Sequence, residues 1–149
     1  MESVVIFEVA AQRFGLPLER VERAVRIVEI TPLPRAPAVV AGVIDVRGSV
    51  IPVIDVRQRF RLPQRASLLT DQLLVVDTAA RRLALWVDTV SGVVDYRAQD
   101  FVAAEAVVPG MEYLRGIARL ADGLVLIQDL EQLLSLAEER ALAEAILDV

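Results

Sequence analysis

The chain contains no cysteine, no histidine and no lysine; all 16 of its basic residues are arginine. Without cysteine there is no disulfide framework, thiol nucleophile or thiolate metal site, and nothing to read about redox compartment. Without histidine there is no Ser-His-Asp relay and no imidazole-bound zinc. Without lysine there is no Schiff base and no phosphate-loop lysine. The expectation is a protein with no catalytic residues, no metal and no essential cofactor. Long apolar runs are also missing: the longest, Pro37 to Ile44, falls well short of the roughly 18 residues a membrane span requires. The opening MESVVIFEVA has an acid where a secretory signal carries basic residues, and no small-residue cleavage site follows. A cytoplasmic chain with no direct membrane insertion is expected. A net charge of −5 argues against nucleic-acid partners, which demand a basic footprint. The local exception is RQRFRLPQR, residues 57–65, which reads as a solvated loop or, less simply, as a patch for an acidic partner.

What remains is apolar and β-branched. Hydrophobic residues make up 55% of the 149, enough for one domain with a full core. VVIFEVA (4–10) predicts a buried strand, LERV a single helical turn, and VRIVEI (25–30) a further strand. TPLPRAP (31–37) is a connection, with a short turn opening at Pro37 before a strand at 43–47. QLLVVDT and RRLALWVDTV predict two strands around Ala79-Ala80-Arg81, and GVVDYR a third after Ser91-Gly92. Residues 97–110 predict a loop with a helical turn. YLRGIARL and GLVLIQDL flank Ala121-Asp122-Gly123, a hairpin signal. The tail places Leu130, Leu133, Leu134, Ala137, Ala141 and Ala145 at helical spacing, with Asp129 as cap and Gln132 three residues on. Many short strands and one closing helix predict small β-barrels or a sandwich.

The stretch VIDVRGSVIPVIDVR (43–57) contains VIDVR twice. Gly48-Ser49 between apolar runs predicts a two-residue type II′ turn, pairing Arg47 with Val50 and Val46 with Ile51. Ile44, Val46, Ile51 and Val53 then share the core face, and Asp45 and Arg47 the other with Val50 and Pro52. In that register the second copy is not equivalent to the first, so the repeat reads as coincidence. The exposed pair is either a weak surface ion pair or a recognition edge, with Arg47 as a five-donor fork.

GVIDVRGSVIPVIDVRQRF (42–60) closely resembles the signature of CheW-like domains, matching it at Gly42, Arg47, Gly48, Pro52, Val53, Asp55, Arg57 and Phe60. FGLPLERVERAV, WVDTVSGVVDY and YLRGIARLADGLVLIQDLEQLL resemble further segments of the family, in order, over nearly the whole chain. The resemblance implies a single mainly β domain over 1–149, built of two small SH3-like β-barrel subdomains packed together, with short helical turns and a C-terminal α-helix. It implies a chemotaxis coupling adaptor that bridges the cytoplasmic tip of methyl-accepting chemoreceptors to the regulatory domain of a CheA-type histidine kinase, recruited to membrane receptor arrays. By position it implicates Val21, Gly42, Asp45, Arg47, Gly48 and Val93 in receptor binding, and Leu73 and Leu74 in kinase contact. Asp45 stands where the family usually has Asn. An ionised Asp only accepts hydrogen bonds, whereas Asn also donates. The departure points to a divergent system, controlling surface motility or second-messenger synthesis, as the alternative setting.

Two rival readings use other residues. VDT at 76–78 and 87–89 is reminiscent of aspartic-protease loops, whose glycine lets two carboxylates share a proton; Ala79 and Val90 follow here instead. The closing helix could also serve as an oligomerisation face.

Overall fold

The computed structural model describes residues 1–104 and 113–147. Strands β1 (Glu2–Val9), β2 (Gln12–Pro17), β3 (Val21–Arg26), β4 (Val40–Val46), β5 (Ser49–Asp55), β6 (Gln72–Asp77), β7 (Arg82–Val87), β8 (Thr89–Tyr96), β9 (Phe101–Ala103), β10 (Leu114–Leu120) and β11 (Gly123–Gln128) form two sheets. One runs β8-β1-β2-β11-β10-β9 and the other β3-β6-β7-β5-β4. Two helices complete the described residues, α1 (Val56–Arg59) and α2 (Leu136–Leu147), with 3-10 turns between elements.

The unbroken apolar runs exist because several strands bury both faces. In β1, Val4 and Ile6 enter a core inside the first barrel, while Val5, Phe7 and Val9 enter a core shared between the barrels. In β6, Leu73 and Val75 fill the second barrel, while Leu74 and Val76 join the shared core. Phe7, Phe14 and Phe60 stack in series through the shared core, and Tyr113 closes the line edge-on. This is the mainly β architecture of two SH3-like barrels with a C-terminal helix. Leu142 of α2, fully buried in the shared core, fixes that helix across the joint.

Several local expectations shift. QRFGLP is a full strand (β2), and LERV does form a turn, Leu18–Arg20. The strand placed at 25–30 lies at Val21–Arg26, with alternate residues half-buried. Ser91-Gly92 is a β-bulge inside β8: Ile6 pairs with Gly92 and Phe7 with Val90, leaving Ser91 as the extra residue. At Ala121-Asp122-Gly123 the hairpin forms, with Leu120 opposite Gly123. A 3-10 turn at Ala98–Asp100 and the short β9 occupy the start of the 97–110 segment, whose residues 105–110 lie outside those described. The closing helix starts later than expected. Asp129 caps only a 3-10 turn at Leu130–Gln132, and α2 begins after Ser135. There Ser135 Oγ accepts from Glu138 N–H at 3.0 Å and Ser135 N–H donates to Glu138 Oε1 at 2.8 Å, a complete capping box.

Thr31 and Val43 exchange backbone hydrogen bonds of 2.9 and 2.8 Å, tying the chain after β3 to the edge strand β4. The approach is possible because residue 42 is glycine. A Cβ there would sit 2.2 Å from the Thr31 carbonyl oxygen, and its φ of +153° disfavours side chains. Gly42→Ala should destabilise the fold by about 3 kcal/mol, combining backbone strain with overpacking. Urea denaturation measures it; an unchanged midpoint would show that the Thr31 bridge yields freely.

Candidate functional site

The β4–β5 hairpin turns one residue earlier than the sequence pattern implied. Val46 pairs with Ser49, Asp45 with Val50 and Ile44 with Ile51, so the loop is Arg47-Gly48. Both loop residues have positive φ, 51° and 85°, the signature of a type I′ turn. Moving the turn back one residue shifts each partner by two, which preserves the faces. Ile44, Ile51 and Val53 are buried in the second barrel with Val46 packed beside them, and Asp45 and Val50 are exposed.

Asp45 folds back so that its Oδ1 accepts from Gly48 N–H at 2.7 Å. In the second VIDVR, Asp55 Oδ1 accepts from Gln58 N–H at 3.2 Å and caps α1. The two copies therefore share one function for their aspartates, bonding the amide three residues on, while the chain continues into a turn once and a helix once. Arg47 is left exposed at the tip, with no hydrogen bond or ion pair among the described residues. A left-handed conformation costs a non-glycine residue about 1–2 kcal/mol; the Asp45–Gly48 bond holds the turn, and the Arg47 side chain itself makes no contact among the described residues that offsets the cost. Its guanidinium has all five donors open to solvent.

Asp45, Arg47 and Gly48 thus come together in one tip. Gly42 lies buried further down the same strand, at the Thr31 crossing. Val21 opens β3 and Val93, 54% exposed, lies on β8; these are edge strands of the two different sheets. Val21 and Val90 both pack against the shared core, so β3 and β8 border the joint between barrels. Gln72 of β6 spans it, its Oε1 accepting from Val90 N–H at 2.7 Å. Leu73 and Leu74 are a correction: both are 0% exposed, one inside the second barrel and the other in the shared core, and neither can meet a partner. A strand buried on both faces mimics an apolar surface in sequence.

Among the exposed apolar residues that sequence reasoning missed, Val28, Leu68 and Leu69 lie together, at 48, 51 and 92% exposure. With Ile27, Ile30, Ala41 and Trp86 they line an open groove of about 550 Å³ on the second barrel. Ala41 is six residues along β4 from the tip arginine, roughly 20 Å at the rise of a strand. The signal available was Leu68-Leu69 standing outside every strand pattern, and the single tryptophan.

Three of the four arginines in the 57–65 segment are tied into ion pairs, while Arg61 stays exposed as a solvated loop would have it. Arg57, 8% exposed, donates to both oxygens of Asp88 at 2.7 and 2.9 Å and to the Pro63 carbonyl. Arg59 binds Glu138 at 2.6 Å and the Tyr113 hydroxyl at 2.7 Å. Arg65 grips Asp71 with two bonds of 2.8 and 2.9 Å and reaches Asp88 at 2.7 Å. Asp88 also accepts from Ala10 N–H at 2.9 Å. The protease reading fails on the same geometry. Asp77 pairs with Arg82 and Gln72 with Val87, placing Asp77 and Asp88 at opposite ends of the β6–β7 ladder. Five residues of strand, roughly 16 Å, separate them.

Burial alone would raise the Asp71 carboxyl, but hydrogen bonds from Arg65, the Leu68 amide and the Trp86 indole outweigh it and lower its pKa to about 2. Glu138 is lowered likewise, its burial outweighed by Ser135 and Arg59. A carboxyl depressed in the folded state stabilises fully above its unfolded pKa near 4, and that contribution is lost as pH falls through the folded value. Stability should therefore fall by about 2 kcal/mol between pH 4 and 2 on account of Asp71. Urea midpoints across that range should drop for the wild type and flatten for Asp71→Asn; equal slopes would remove Asp71 as the cause.

Among known proteins, a family model described as CheW-like domain matches residues 3–138. The chain is 25% identical to chemotaxis protein CheW of Treponema pallidum, covering 95% of this chain and 86% of that one. It is 27% identical to chemotaxis protein CheW of Klebsiella aerogenes, covering 97% and 88%. Protein FrzA of Myxococcus xanthus is 45% identical over 49 residues, 33% of this chain and 31% of that protein. The crystal structure of scaffolding protein TtCheW from Thermoanaerobacter tengcongensis superimposes with a TM-score of 0.84 at 28% identity, over 92% of this chain and 94% of that one.

Proposed function

Because the chain belongs to the CheW-like family, we propose that it is a chemosensory adaptor coupling the cytoplasmic tip of a chemoreceptor to the regulatory domain of a CheA-type histidine kinase. The carrying observation is Arg47, an unpaired five-donor fork held out by a strained turn. The receptor reading joins this tip to the joint flanked by β3 and β8, where Val21 and Val93 lie, with Gly42 as the support that positions β4. The kinase reading takes the Val28–Leu68–Leu69 groove in place of Leu73 and Leu74. An adaptor needs two faces that do not compete, and the length of β4 separates these. The function asks for no catalytic residue, metal or cofactor. Work at the receptor array would place the chain in the cytoplasm, at the membrane through its partners.

Asp45 supports the alternative setting, a divergent chemosensory system. Its carboxylate serves the turn through one oxygen, which an asparagine oxygen would also do, so the turn itself does not require the charge. If a receptor donor meets the acid, Asp45→Asn should weaken binding to the native tip by about 1.5–3 kcal/mol and strengthen binding to a tip of the common type. Titration of the variant against both tip fragments decides it; small, equal shifts would return the partner to the ordinary chemotaxis kind.

A further inference from the structure

Asp71 is 1% exposed and bonds to three of the four segments that line the groove, all but Ala41 of β4. Its carboxylate accepts from Leu68 N–H at 2.9 Å and from Trp86 Nε1–H at 3.0 Å. Its carbonyl accepts from Ile27 N–H at 3.0 Å, and its own N–H donates to the Leu68 carbonyl at 2.9 Å. One residue therefore holds the Leu68-Leu69 wall by its backbone, the facing Ile27–Ile30 wall by its backbone, and Trp86 between them. Arg65 neutralises the buried charge and, through Asp88, connects it to the Ala10 amide of the first barrel.

We infer that Asp71 is a positioning residue for the groove: it fixes the distance between the walls, and hence affinity for the apolar face of the kinase regulatory domain, without touching that domain. Leu69, 92% exposed, has little packing of its own to hold it, so the turn before Asp71 sets where it points. A buried carboxylate with several donors tolerates little displacement, because each lost partner leaves a desolvated group unpaired. The inference rests on the kinase reading of the groove, and its test separates the two.

Trp86 is the only tryptophan, so its emission reports the groove directly. Adding the kinase regulatory domain to the wild type should change that emission as it binds; binding with unchanged emission would show that the groove is not the contact, overturning both readings. Asp71→Ala should shift Trp86 emission to the red and lower kinase affinity tenfold or more, with receptor-tip affinity kept within twofold. Asp71→Asn, which keeps an acceptor for the amide and the indole, should lose less. Wild-type kinase affinity in folded Asp71→Ala would overturn the positioning role while leaving the groove assignment standing, as would equal losses for both partners. Should neither variant fold, Arg65→Gln loosens the Asp71 carboxylate from a residue outside the groove lining. A twofold to fivefold loss of kinase affinity is then expected, and no loss would overturn the inference.

Discussion

Asp88→Ala should lower the stability of this protein by about 3 kcal/mol, the low end of the cost of breaking a buried ion pair from one side, because Asp88 is itself only half-buried. Arg57 is the reason. Its guanidinium is almost wholly buried and gives two hydrogen bonds to the Asp88 carboxylate. Removing that carboxylate leaves the cation with only the Pro63 carbonyl. Arg65 loses one of its two acids, and the Ala10 amide loses its acceptor at a turn where Ala10 and Ala11 both have positive φ, 52° and 64°. Asp88→Asn, which keeps an acceptor but not the charge, should fall between. Denaturant unfolding measures the loss. A drop below 1 kcal/mol would mean that water reaches Arg57 and that the network is not a structural joint.

Arg47→Ala should do the opposite: leave the melting temperature unchanged and weaken receptor-tip binding by about 2–5 kcal/mol, the range for removing one partner of a desolvated charged contact. The fold is spared because Arg47 contributes no contact to it among the described residues, and alanine bears the same backbone strain in the turn. Calorimetric titration and a melt of the same sample separate the outcomes. Unchanged affinity would remove Arg47 from the site, and a lowered melting temperature would make the residue structural.

The two substitutions also mark what the sequence could and could not convey. The strands were legible where one local pattern sufficed: VVIFEV cannot easily be anything else, and the core face of the 43–53 hairpin was read correctly even though its turn was displaced. The displacement came from Arg47. Arginine at positive φ is uncommon, so Gly48-Ser49 was the better local solution, and only the Asp45–Gly48 bond makes the actual turn stable. Long-range partners were not legible at all. Arg57, Arg59 and Arg65 find Asp88, Glu138 and Asp88 at separations of 31, 79 and 23 residues, so much of a segment that reads as solvated is pinned into the joint between barrels. Leu73 and Leu74 failed for a related reason. Alternation tells an outward face from an inward one only when a single face is buried, and β6 buries both. The tip residues, by contrast, were named through resemblance to family motifs alone; the structure adds that Asp45, Arg47 and Gly48 share one exposed turn.

The central claim is that one copy of this chain holds a receptor tip and a kinase regulatory domain at once, on separate faces. Sedimentation of the chain with both fragments, each labelled with a different chromophore, tests it directly. A single boundary carrying both labels is expected, absent when the chain is omitted, lost to the receptor label alone with Arg47→Ala, and lost to the kinase label alone with Asp71→Ala. Two boundaries that exchange as one fragment is titrated against the other would show a shared site, and would contradict the adaptor.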